Sequence, residues 1–136
     1  MHIDIFKLFA LILLLFVSTA SFGQTQASMN NEQLQTFQQA DKALNSVYQK
    51  ILKQYRTDPE FIKNLKTAQR IWVQFRDAEA NMKYPARPAG YYGSAQPMCE
   101  AAYRTELTQQ RTRTLTLWLT GIEEGDVCAG SVKVKD

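Results

Sequence analysis

Asp41, Glu79 and Arg111 each stand in an apolar helical register, between Phe37 and Leu44, Phe75 and Met82, and Leu107 and Leu115, and Asn45 and Arg76 lie one turn from the first two. Two carboxylates sharing a cleft could act as general acid and base. In a dry helical seam the same residues must instead pair with cations, because a buried charge is costly when left alone. The expected arrangement is a structural polar network of Asp41, Asn45, Arg76, Glu79 and Arg111, with Asp41 paired to Arg76 and Glu79 to Arg111. No catalytic residue is assigned.

Histidine chemistry is excluded by position. The only histidine is His2, inside a segment whose apolar stretch Leu8–Val17 is followed by the small residues Ser18-Thr-Ala-Ser-Phe-Gly23. Residues 1–23 read as a secretory signal peptide cleaved after Gly23. An uninterrupted apolar run of ten residues falls short of the roughly 20 that a spanning helix needs. The exported chain, residues 24–136, therefore has no Ser-His-Asp triad, Cys-His pair or histidine metal site. No metal, no cofactor and no membrane contact are expected after cleavage.

Charge narrows the partners further. Removing Lys7 and Asp4 from 16 basic and 13 acidic residues keeps the net charge at +3, too small and too dispersed for nucleic acid. The acidic cluster Glu123-Glu124-Gly125-Asp126 reads as a solvated helix end or a local contact for a cationic partner. Its spacing fits no calcium loop.

Cys99 and Cys128 are the only cysteines, in a compartment that permits disulfides. A bond between them would stabilise the fold by roughly 3–4 kcal/mol in the chain-entropy model. It requires the third helix to begin well after Cys99 or to stop by about Leu119, since an intact helix carries its ends too far apart. Two free thiols are the alternative.

The elements that must position these groups are helical. Leu34, Phe37, Asp41, Leu44, Tyr48, Ile51 and Tyr55 alternate at spacings of three and four, after a plausible N-cap and capping box at Asn30 and Gln33. Asp58 caps a second helix, with Pro59 at its first position and Leu65, Ala68, Trp72, Phe75, Glu79 and Met82 on one face. Pro97 can open a third, carrying Leu107, Arg111, Leu115, Trp118 and Ile122. Trp72, Phe75 and Trp118 at helical spacing read as core, with a ligand pocket as the sharper alternative. The expected fold is all-α, an antiparallel three-helix bundle in one domain, with its core over about residues 30–123, a long loop between helices two and three, and a short C-terminal tail.

That loop, residues 85–97, is rich in proline and glycine and holds Arg87, Tyr91, Tyr92 and Ser94. Loops beyond about 12 residues in compact domains are often functional. Tyrosine offers rigid contact area with a polar tip, so these four residues are the expected partner-binding set. The alternative is that one tyrosine folds back to cap the bundle.

Four stretches in order carry a resemblance: Ala40-Asp41-Lys-Ala-Leu44-Asn45-Ser-Val-Tyr48, Ala68-Gln69-Arg70-Ile-Trp72-Val-Gln-Phe75-Arg76-Asp77-Ala78-Glu79, Gly93-Ser94-Ala-Gln96-Pro97-Met98 and Leu107-Thr108-Gln-Gln-Arg111-Thr112. Together they resemble the lysozyme-inhibitor LprI-like N-terminal domain family, exported bacterial proteins, over about residues 30–120. The resemblance implies binding and inhibition of lysozyme and supplies no catalytic residues. Where the family commonly has two cysteines this chain has Ala80 and Tyr103, a departure that implies loss of one disulfide, with Cys99 and Cys128 as the candidate replacement. The functional expectation is a non-enzymatic periplasmic or secreted protein that binds a lysozyme or related muramidase. The rival expectation is an envelope interaction protein that binds no lysozyme.

Overall fold

The computed structural model describes residues 5–135, with side chains from Thr25 onward. The chain forms α1 (Ile5–Gln54), α2 (Pro59–Lys83) and α3 (Gln96–Thr120). The expected signal segment, residues 1–23, falls outside the described side chains. Among the described residues, no helix is long and apolar enough to cross a membrane.

Asp58 behaves as expected at the tight α1–α2 turn: its Oδ1 accepts from Phe61 N at 3.0 Å, and Pro59 supplies a first helical residue that has no N–H to satisfy. Asn30 does not start α1. The helix runs through it, because no proline interrupts the segment before it, and its Nδ2 instead donates to the carbonyl of Ser94 at 3.0 Å. At the far end, Gln54 and Tyr55 both donate to the carbonyl of Trp118. These contacts make α1 and α3 parallel, with α2 antiparallel to both.

The bundle divides along its length. In the half near the α1–α2 turn, Leu44, Ile51, Leu65 and Leu115 form the apolar core, flanked by Tyr48, Tyr55, Phe61, Trp72 and Trp118. Each such aliphatic side chain contributes about 1.5–3 kcal/mol on burial. In the other half the buried residues are small or polar: Ala40, Arg76, Ala80, Ala101, Thr105 and Thr108. Small side chains let helix axes approach, and α3 packs chiefly against α1 and less against α2. Thr105 and Thr108 tolerate burial because each Oγ1 donates to the carbonyl four residues earlier, at 2.8 and 2.7 Å.

The buried arc of α2 differs from the expected face. It runs through Leu65, Gln69, Trp72, Arg76 and Ala80, which leaves Phe75 and Met82 exposed. With Ala68, Ile71 and Ala78, also exposed, they form a second apolar stripe facing outward. Phe75 is therefore not core.

The tail closes the apolar end. Ile122 N donates to Lys133 O and Lys135 N to Ile122 O, forming a single parallel bridge between Ile122 and Val134. Gly121 makes this possible. Its φ is +79°, and a Cβ there would lie 2.9 Å from Lys133 O, so both backbone conformation and space require glycine.

Candidate functional site

Residues 84–95 connect α2 to α3 as a series of turns, with Tyr91 N donating to Pro88 O and Gly93 N to Gly90 O. The two tyrosines have different roles. Tyr92 folds inward: its hydroxyl donates to Pro85 O at 3.0 Å, and its ring meets Tyr84 edge-on at 5.9 Å. Tyr91 rests edge-on against Tyr92 at 4.8 Å and is 66% exposed. The Arg87 guanidinium lies 5.7 Å from the Tyr91 ring centre. Ser94 is exposed, and its carbonyl takes the bond from Asn30. The loop thus presents Tyr91 and Arg87 on a base that Tyr92 and Asn30 hold.

Beneath the loop an ion-pair chain crosses all three helices. Arg76 Nη1 donates to Asp41 Oδ1 at 2.8 Å, the pair expected from their spacing. Arg76 Nε reaches Asp77 Oδ1 at 3.1 Å, which also takes Arg104 Nη1 at 2.7 Å. Arg104 Nη2 continues to Glu100 Oε1 at 3.0 Å. Arg76 is the dry centre, its side chain 9% exposed, whereas Asp41 is 55% exposed. Phe37 and Trp72 place their rings 5.3 and 5.5 Å from its guanidinium carbon. Asn45 is exposed and makes no bond to this chain of charges.

The expected Glu79–Arg111 pair does not form. Glu79 Oε1 accepts from the Tyr103 hydroxyl at 3.1 Å, and Arg111 Nε donates to Gln69 Oε1 at 3.1 Å. The cause is axial position: α2 and α3 are antiparallel, so Glu79 is level with the first turns of α3 and Arg111 with Gln69. Lys83 Nζ sits 3.7 Å over the Tyr103 ring. Burial first, and then the hydrogen bond to Glu79, raise the Tyr103 pKa. Tyr84 is raised by burial and by the neighbouring Cys99 and Glu100. With Asp41 held by Arg76 and Glu79 by Tyr103, the two carboxylates serve separate structural contacts.

Cys99 and Cys128 are free and exposed, and the expected bridge does not form. α3 is unbroken from Gln96 to Thr120, carrying the chain about 32 Å along its axis beyond Cys99. The eight residues from Gly121 to Cys128 could return at most about 27 Å even when extended. They turn instead, with Cys128 N bonded to Asp126 Oδ1 at 2.8 Å. In the acidic cluster, Glu123 is paired with Lys135 Nζ. No metal-binding group of three or more ligands occurs among the described residues.

At the opposite end of the bundle from the loop, α2 and α3 border a groove of about 480 Å³ lined by Phe61, Leu65, Ala68, Arg111, Leu115 and Trp118, with Asp58 and Glu60 also bordering it. Of the three aromatic residues for which a ligand pocket is the alternative to core, Trp118 borders this groove; Asp77, Glu100, Tyr103 and Arg104 lie outside the expected site residues. Their (i, i+4) spacing on α3 could have suggested the Glu100–Arg104 pair.

The family model described as lysozyme inhibitor LprI matches residues 18–115. No curated protein and no solved structure matches the chain.

Proposed function

We propose, from the premise that the chain belongs to the LprI lysozyme inhibitor family, that it is an exported binding protein that blocks a lysozyme or related muramidase through the loop between α2 and α3. The observation that carries this reading is Tyr91, 66% exposed beside Arg87 on a backbone braced from below. A rigid aromatic with a polar tip and an adjacent guanidinium suits insertion into a saccharide cleft lined by carboxylates and hydrogen-bonding groups. Ser94 extends the same exposed edge.

Electrostatics sets the character of the contact. A net charge of +3 gives no long-range attraction toward cationic lysozymes. Binding then depends on short-range stacking and hydrogen bonds, and inhibition should change little between low and physiological salt. The test is protection of a cell-wall suspension against several lysozyme classes at two ionic strengths. Protection that vanishes on adding salt would argue against this contact.

A second reading, an envelope contact that involves no lysozyme, is favoured by the outer stripe of α2. Ile71, Phe75 and Met82 are 56, 52 and 69% exposed, and with Ala68 and Ala78 they repeat at alternating spacings of three and four, the pattern of a helix–helix seam. Phe75→Glu separates the two. Under the loop reading it leaves lysozyme protection intact, and under the second it abolishes partner binding at unchanged helicity.

A further inference from the structure

We propose that the groove between α2 and α3 at Arg111 binds a small organic monocarboxylate carried on a ring-sized apolar body. This site is separate from the loop and does not depend on the inhibitory function.

Among the described residues Arg111 is the only cation in the groove lining, and its bonding is incomplete. Its Nε is committed to Gln69 Oε1 at 3.1 Å, which fixes the plane of the guanidinium, and the Trp72 ring centre lies 5.9 Å from its central carbon. Among the described residues, neither its Nη1 nor its Nη2 has a protein acceptor, and no carboxylate pairs with it. Toward the loop end, by contrast, Arg76 and Arg104 are each bonded to two carboxylates. Burial lowers the Arg111 pKa, so the charge is partly stripped of water. A guanidinium partly desolvated, oriented and left with both of its Nη groups free is suited to receive a carboxylate in a two-pronged bond.

The remaining walls select the body of the ligand. Phe61, Leu65, Leu115 and Trp118 give the groove an apolar and aromatic lining. Its volume of about 480 Å³ falls within the range of small-molecule sites. The Trp118 ring is fixed, because Nε1 donates to Ser131 Oγ of the tail at 3.1 Å. Asp58 and Glu60 border the same groove, but Asp58 Oδ1 is taken by Phe61 N, and Glu60 by Asn64 and Lys63. Their negative charge disfavours a second anionic group on the ligand and so favours a single carboxylate.

The experiment titrates the protein, purified as the producing cell exports it, with phenylacetate and with its neutral isostere phenylacetamide, following the indole N–H resonances of Trp72 and Trp118. Phenylacetate should saturate in the millimolar range, with the Trp118 signal moving, and the amide should bind roughly tenfold more weakly. Arg111→Gln should make acid and amide equal. Ala68→Phe changes an exposed helical position that lines the groove, leaves Arg111 in place and should block both ligands, so the test stands even if the Arg111 variant fails to fold. Equal binding of acid and amide to the unaltered protein, no binding of the acid, or full binding by the Ala68→Phe protein would each overturn the proposal.

Discussion

Arg104 on α3 donates through Nη1 to Asp77 Oδ1 on α2 at 2.7 Å, and the same oxygen accepts from Arg76 Nε at 3.1 Å. Asp77 is therefore the junction of the chain of charges that ties the three helices together. Replacing it leaves two guanidiniums short of a partner, one of them dry. Asp77→Asn should cost about 2 kcal/mol in urea denaturation. Asp41→Asn should cost only about 0.5–1 kcal/mol, since Asp41 is half exposed and Arg76 keeps Asp77. Equal losses would contradict the central place given to Asp77.

Tyr103 carries a pH dependence. Its folded-state pKa is raised, by burial and then by the bond to Glu79, above the ordinary value of about 10. Over the window above that value the unfolded chain loses the phenolic proton first, so the folded state binds more protons and stability falls as pH rises. Below it the contribution is fully present. Melting temperature should therefore drop on moving above about pH 10, and Tyr103→Phe should make that drop shallower. Tyr84, raised in the same direction, leaves part of the slope in the variant.

Gly121→Ala tests how the tail is seated. The substitution places a methyl group against the backbone of Lys133 and forces alanine to positive φ, at a cost of about 1–2 kcal/mol. The expected outcome is release of the tail, loss of the Trp118–Ser131 bond and a red shift in tryptophan fluorescence, with helicity kept. Unchanged fluorescence would show that the tail does not depend on this close approach.

The two thiols give a further check. Both are exposed and separated by the length of α3, so both should react with a maleimide in the native protein. Reductant should leave the melting temperature unchanged. A melting temperature that falls on reduction would mean that α3 unwinds near Cys99 to allow a bridge.

What could be read from the residues follows from what periodicity encodes. Spacings of three and four show that a helix has a buried face, so the three-helix bundle, the Asp58–Pro59 start of α2 and the Asp41–Arg76 pair were all legible. Axial level is not encoded: sign alone pairs Glu79 with Arg111, whereas Tyr103 and Gln69 are the residues at the right heights. α2 also carries two apolar arcs, and pattern alone does not say which one α1 and α3 cover, so periodicity places Phe75 in the core where the structure leaves it exposed. Thr105 and Thr108 are polar residues whose burial rests on each hydroxyl being bonded to its own helix, which periodicity does not encode. In the loop, Tyr91 and Tyr92 are neighbours of one type, and only the Tyr92–Pro85 bond tells the brace from the exposed contact.

That distinction gives the most direct test of the inhibitor reading. Lysis of a bacterial cell-wall suspension by several lysozyme classes would be followed with the unaltered protein, with Tyr91→Ala and with Tyr92→Phe. The expected result is dose-dependent protection by the unaltered protein against at least one class. Tyr91→Ala should lose that protection by tenfold or more, roughly the loss of one aromatic contact, at an unchanged melting temperature. Tyr92→Phe should keep protection at a melting temperature lowered by the missing bond to Pro85. No protection against any class, or full protection by Tyr91→Ala, would contradict the assignment of inhibition to this loop.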